Sequence, residues 1–146
     1  MPSLKSTATS VWQGGLADGS GTVSLASGAA SGLGVSWPAR TEAADGRTSP
    51  EELIAAAHAA CYSMALSHEL ASRGATPGSL EVTAECTFVV DDEGSRIASM
   101  HLAVRGTAGG IDASGFVAAA DAAKAGCPVS KALTPSVAIT LAATLS

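Results

Sequence analysis

Three cysteines, Cys61, Cys86 and Cys127, are the residues of this chain whose type is best suited to chemistry. They are too few, and odd in number, for a structural disulfide framework, so any chemistry they carry is redox, nucleophilic or metal-binding. Cys61 sits in an apolar stretch, where a free cysteine is ordinarily a small core residue. Three features point the other way: a second cysteine in a special setting, an upstream loop holding Arg40 and Arg47, and His58 one helical turn earlier. Cys127 stands just before Pro128, at or near the N-cap of a short helix, where the dipole and free amides favour a thiolate. Its plainer reading is a loop residue. Cys86 falls on the apolar side of a strand and reads as structural. His58, Cys61 and Cys127 could instead be metal ligands, but a fourth ligand has no obvious source and structural zinc wants four. Both His58 and His68 therefore read as packing or surface residues.

The element that must position Cys61 is "TSPEELIAAAHAACYSMALSHELASRG", Thr48 to Gly74. Ser49 can cap it, Pro50 fits the first helical position, and Glu52 completes a capping box. Arg73 suits the negative end of the dipole, and Gly74 suits the left-handed residue that stops a helix. From Pro50 to Arg73 the helix would be roughly 36 Å long at 1.5 Å per residue. Leu53, Ile54, Met64, Leu66 and Leu70 spread around its axis, so it reads as a core helix covered on nearly all sides.

Around it, residues 4–12 and 21–25 alternate weakly across the turn "GGLADGSG" and read as a hairpin, with a short strand near 33–37. "PARTEAADGRT" reads as a polar loop. Two strands follow the long helix, Leu80 to Asp91 and Arg96 to Gly106, each with period-two alternation; His101 falls on the polar side. Asp112 introduces a second helix to about Lys124, with Phe116, Val117, Ala120 and Ala123 as its inner stripe. A last strand runs from Ser136 to Leu145. The sum is α+β with mostly antiparallel sheet.

The totals set limits. The 146 residues contain no linker-like segment and suit one domain, 1–146. Hydrophobic residues make up 47% and charged residues only 14%, a surplus that a subunit interface would absorb. A net charge of −5 argues against nucleic acid or an anionic membrane as partner. Neither a secretory signal nor an 18-residue apolar span is evident, which places the protein in a reducing cytoplasm.

Three segments, "SPEELIAAAHAACYSMALSHEL", "GIDASGF" and "AKAGCPVSKAL", closely resemble the osmotically inducible protein C (OsmC) branch of the OsmC/Ohr hydroperoxide reductases. The resemblance runs from about Trp12 to the C-terminus. It implies an OsmC-like fold, with mostly antiparallel sheets wrapped around a long central helix in an intertwined homodimer. It implies a cysteine peroxidase without cofactor or metal, in which Cys61 is the peroxidatic thiol and Cys127 the resolving one. The family's arginine and glutamate match Arg40, in "WPARTE", and Glu51, in "SPEE"; Arg47 is a competitor for the arginine. Reductants of the lipoyl-protein or thioredoxin type are implied. The rival reading is a stress-induced, non-catalytic binding or structural dimer on the same scaffold.

The residue types suit that chemistry. A guanidinium stabilises a thiolate and points donors at peroxide oxygens, and an apolar helix around the thiol favours organic hydroperoxides over hydrogen peroxide. Glu51 and Cys61 are about 15 Å apart along a regular helix and offset by roughly 80° around it. Glu51, and Arg40 with it, is therefore expected to serve the Cys61 of a partner subunit.

Overall fold

The computed structural model describes residues 2–146. In order its elements are β1 (Ala8–Gln13), β2 (Ser20–Leu25), β3 (Leu33–Val35), α1 (Trp37–Thr41), α2 (Pro50–Ser72), β4 (Thr76–Asp91), β5 (Gly94–Gly109), α3 (Ala113–Gly126), α4 (Pro128–Leu133) and β6 (Ala138–Leu145). The chain divides into two compact units, with the boundary between Leu53 and Ile54 in the first turn of α2.

In the first unit β1, β2 and β3 form an antiparallel sheet, with Ala8 opposite Leu25 and Gln13 opposite Ser20. The segment expected as a polar loop holds the short helix α1. Ser36 starts it, its Oγ accepting a hydrogen bond from the Ala39 N–H at 3.1 Å, and Pro38 supplies a preset helical φ. Five residues are too few for a hydrophobic period to announce the helix.

In the second unit the sheet order is β4-β5-β6, the first pair antiparallel and the second parallel. The strands of the β4–β5 hairpin extend beyond the alternating runs, to Thr76 and Gly109. Crossing back through α3 and α4 delivers β6 parallel to β5, because a helical crossover returns the chain in its original direction. One sheet face carries Leu80, Val82, Leu102, Val104, Ile139 and Leu141, and it meets Tyr62, Leu66 and Leu70 of α2 and Phe116, Ala119 and Ala120 of α3. Gly106 permits this approach: a Cβ there would lie 3.2 Å from Phe116 Cζ and 2.5 Å from Leu80 Cδ2. In α3, whose N-cap Asp112 accepts from the Gly115 N–H at 2.8 Å, Val117 is 42% exposed and Ala119 takes the inner place expected for it.

α2 begins and ends close to where its caps place it. Ser49 Oγ accepts the Glu52 N–H at 3.1 Å, and Gly74, at φ +81°, closes the helix while the Ala75 N–H reaches back to the Leu70 carbonyl at 3.0 Å. The Glu52 carboxylate does not close a capping box on the serine; it accepts the Thr48 hydroxyl at 2.7 Å. Tyr62, Leu66 and Leu70, four residues apart, form the buried stripe of this helix. On another face Ala56, Ala60 and Met64 are exposed, Met64 at 73%. Among the described residues no helix is long and apolar enough to cross a membrane.

Candidate active site

Cys127 stands at the corner between α3 and α4, as C-cap of one helix and N-cap of the other. The corner has a local cause. Pro128 clashes with a helical backbone at the residue before it, so Cys127 adopts φ −63°, ψ 123° and the helix breaks there. Its own N–H still bonds to the Ala123 carbonyl at 2.8 Å, and its carbonyl accepts the Lys131 N–H at 3.0 Å, so both helices are satisfied through one residue. The side chain is fully buried.

Cys61 faces this corner from the middle of α2 and is half-buried. The two thiols are unbridged and lie close enough to interact, and the Val129 N–H, in the first turn of α4, lies close enough to favour the Cys61 thiolate. Burial pushes the Cys61 thiol above its ordinary range; the Val129 amide works against that shift, and the Cys127 sulfur adds to it. Two sulfurs separated by most of the second unit's sequence are thus neighbours.

Two further hydrogen bonds bracket the corner. His58, one turn before Cys61, places Nε2 2.8 Å from Ser130 Oγ on α4, with both residues buried. Tyr62, the residue after Cys61, donates its hydroxyl to the Ala120 carbonyl of α3 at 3.0 Å. Burial holds the His58 imidazole below its usual pKa, hence neutral, and pushes the Tyr62 phenol upward, with Asp121 and Cys127 adding to the latter. By sequence His58 reads as a packing or surface residue, and its spacing of three from Cys61 is the one local signal of another role.

The first unit holds a separate charged pair. Arg40 Nε lies 2.9 and 3.1 Å from the two Glu51 oxygens, and Nη2 lies 2.7 Å from Oε1. The guanidinium also sits over the Trp37 ring, 5.8 Å from its centroid, within cation–π range. Glu51 is only 6% exposed, so its charge is balanced by Arg40 at close range. Beside the pair is a hollow of about 390 Å³ lined by Trp12, Leu16, Val35, Trp37, Leu53 and Arg40. Its walls are almost wholly apolar apart from the guanidinium.

The other candidates lie elsewhere. Cys86 is half-buried on β4, opposite Met100 of β5. His101 is exposed on the outer sheet face, its Nδ1 2.7 Å from Thr140 Oγ1, and His68 is exposed on α2. Among the described residues no three His, Cys, Asp or Glu side chains are gathered closely enough to hold a metal ion.

Two neighbouring thiols at a helical corner, on an α+β scaffold, are the arrangement that thiol–disulfide chemistry requires. Residues 43–142 match the model of the family described as OsmC-like protein. Peroxiredoxin OsmC of Escherichia coli (strain K12) is 45% identical over 122 residues, spanning 84% of this chain and 85% of that protein. The organic hydroperoxide resistance protein OhrB of Bacillus subtilis superposes with a TM-score of 0.73 at 26% identity, over 94% of this chain and 98% of that one. An organic hydroperoxide resistance protein from Elizabethkingia anophelis shares the fold, with a TM-score of 0.74 at 23% identity over 100% of both chains. The chain belongs to the OsmC-like protein family.

Proposed function

We propose that this protein is a thiol-dependent peroxidase that reduces organic hydroperoxides, and hydrogen peroxide less readily, to alcohols and water. The observation that carries the reading is the adjacency of Cys61 and Cys127, one on α2 and the other at the helical corner facing it. In the proposed cycle the Cys61 thiolate attacks the terminal peroxide oxygen. The O–O bond breaks, the alkoxide takes a proton and leaves as alcohol, and Cys61 becomes a sulfenic acid. Cys127 sulfur then displaces the hydroxyl from Cys61; the S–O bond breaks, an S–S bond forms, and the hydroxide leaves as water with the Cys127 proton. An external dithiol, of lipoyl-protein or thioredoxin type, restores both thiols by exchange.

Such a cycle needs a cation at Cys61, whose pKa burial raises. Arg40, held by Glu51 through its Nε and Nη2, is the group assigned to that task. The working unit is a homodimer in which two α2 helices pair antiparallel and the partner subunit's Arg40 and Glu51 reach each Cys61. Support for this comes from the open Ala56, Ala60 and Met64 face of α2, an apolar strip that water would otherwise cover. The Trp12, Leu16 and Trp37 hollow beside Arg40 then receives the organic tail, and its apolar walls account for the preference over hydrogen peroxide. The compartment proposed is a reducing cytoplasm, where the disulfide is transient.

The test is anaerobic treatment of the reduced protein with one equivalent of cumene hydroperoxide, followed by thiol counting and peptide mapping. Two thiols per chain should disappear and Cys61 should be joined to Cys127, with Cys86 still free. Three surviving thiols would remove the peroxidase reading and favour a binding or structural dimer.

A further inference from the structure

The anchorage of α4 is unusual for a helix that carries one wall of a reactive pair. Its one buried residue is polar, Ser130, and the hydroxyl of that residue is bonded to His58. By contrast α3, on the other side of Cys127, is anchored by the buried side chains Phe116, Ala119, Ala120 and Ala123. The corner at Cys127 therefore has an apolar anchor upstream and, downstream, the Ser130–His58 hydrogen bond with Val129 packed partly against the core. The partners are also symmetrically spaced: His58 is three residues before Cys61 and Ser130 three residues after Cys127. Each thiol is thus one turn from one end of the same bond.

Burying an imidazole is costly here. His58 is fully buried, and its Nδ1 has no hydrogen-bond partner among the described residues. An orphaned buried polar atom is destabilising, a cost that a leucine or methionine at this position would avoid. A purely packing role does not explain the choice of residue, whereas a directional bond to Ser130 does.

We infer that His58 and Ser130 are positioning residues, whose hydrogen bond holds the Cys127 corner and the Val129 amide against Cys61 so that the sulfenic acid is captured as a disulfide before a second peroxide reaches it. The inference rests on the thiol roles proposed above. It concerns the second step of the cycle, in which the Cys61 S–O bond is exchanged for the S–S bond and water is released. That step needs the two Cα atoms within roughly 4.4–6.8 Å and the sulfurs in line, a geometry that a drifting α4 would lose. A sulfenic acid that waits is oxidised by a second hydroperoxide to sulfinic acid, with a second alcohol released.

The experiment compares the unaltered protein with Ser130→Ala, Ser130→Thr and His58→Asn in single-turnover mixing with cumene hydroperoxide. It resolves Cys61 oxidation from disulfide formation and scores sulfinic acid by intact mass. Ser130→Ala should slow disulfide formation about fivefold to tenfold more than it slows Cys61 oxidation, the factor expected for one lost hydrogen bond. Sulfinic acid should rise in step, and Ser130→Thr, which keeps the hydroxyl, should restore the balance. A readout free of peroxide is alkylation of Cys127 in the native reduced protein, which should be faster in Ser130→Ala and in His58→Asn. Equal slowing of both steps, or an unchanged partition together with unchanged Cys127 alkylation, would overturn the positioning role alone. Absence of any Cys61–Cys127 bridge in the unaltered protein would instead remove the thiol roles, and the inference with them.

Discussion

Arg40 grips Glu51 with two nitrogens at once, Nε at 2.9 Å and Nη2 at 2.7 Å, and Glu51 is almost completely withdrawn from water. A planar guanidinium held along one edge in this way has a fixed orientation, which a lysine ammonium cannot reproduce. The pair joins α1 to the first turn of α2, two elements that follow one another in sequence yet are separated by a polar connection.

Loss of the carboxylate should therefore act through the arginine. Glu51→Ala is expected to lower kcat/KM for cumene hydroperoxide roughly 10- to 100-fold, the range for a displaced charge-stabilising group. Arg40→Lys should do the same although it keeps the charge. Steady-state peroxide consumption measures both, and full activity in Arg40→Lys would argue that only net charge matters.

The dimer reading can be tested on the open face of α2. Replacing Met64 by lysine places a charge at one end of the Ala56, Ala60 and Met64 strip and should split a two-chain particle into single chains by light scattering. Peroxidase activity should fall with the mass. A fully active single-chain form would show that each chain completes its own site.

The same variant gives a pH prediction with a definite sign. Burial raises the Cys61 pKa within the chain, so its thiolate fraction at neutral pH is depressed. In Met64→Lys the midpoint of iodoacetamide alkylation at Cys61 should lie above the ordinary thiol value of about 8.5, and in the unaltered protein below it. Because the folded pKa is raised, the contribution of this group to stability is present below the unfolded thiol pKa and is lost as pH rises through the folded value. A midpoint in the variant at or below that of the unaltered protein would contradict the assignment of Arg40.

Stability should divide along the two anchors of the corner. Tyr62→Phe removes the hydrogen bond to the Ala120 carbonyl and should cost about 1 kcal/mol in denaturant melts. Phe116→Ala, which empties a fully buried site against Gly106, should cost about 3–5 kcal/mol. If Tyr62→Phe proved the more damaging, α3 would depend on its hydrogen bond and not on its apolar face.

Cys127→Ser isolates the first oxidation. One equivalent of hydroperoxide should then leave a Cys61 sulfenic acid that reacts with dimedone, with no bridge inside the chain. An internal bridge from Cys61 to Cys86 in this variant would show that Cys86 can take over the resolving role.

Short-range chemistry in the sequence was enough to determine several elements: the ends of α2 from Ser49, Pro50 and Gly74, the period-two strands β4 and β6, and the helical break that Pro128 imposes on Cys127. Each depends on residues within about one turn of one another, so each can be read without knowing what lies opposite. The α+β class follows from the same signals taken in order. Tertiary packing is what sets Cys61 beside Cys127, joins Ser130 to His58 and closes Arg40 on Glu51. It also decided that Ala119 is buried where Val117 is not. Those outcomes depend on which faces meet when distant segments pack, and the packing of a sheet against two helices is a property of the whole unit, with no trace in the spacing along any one of them.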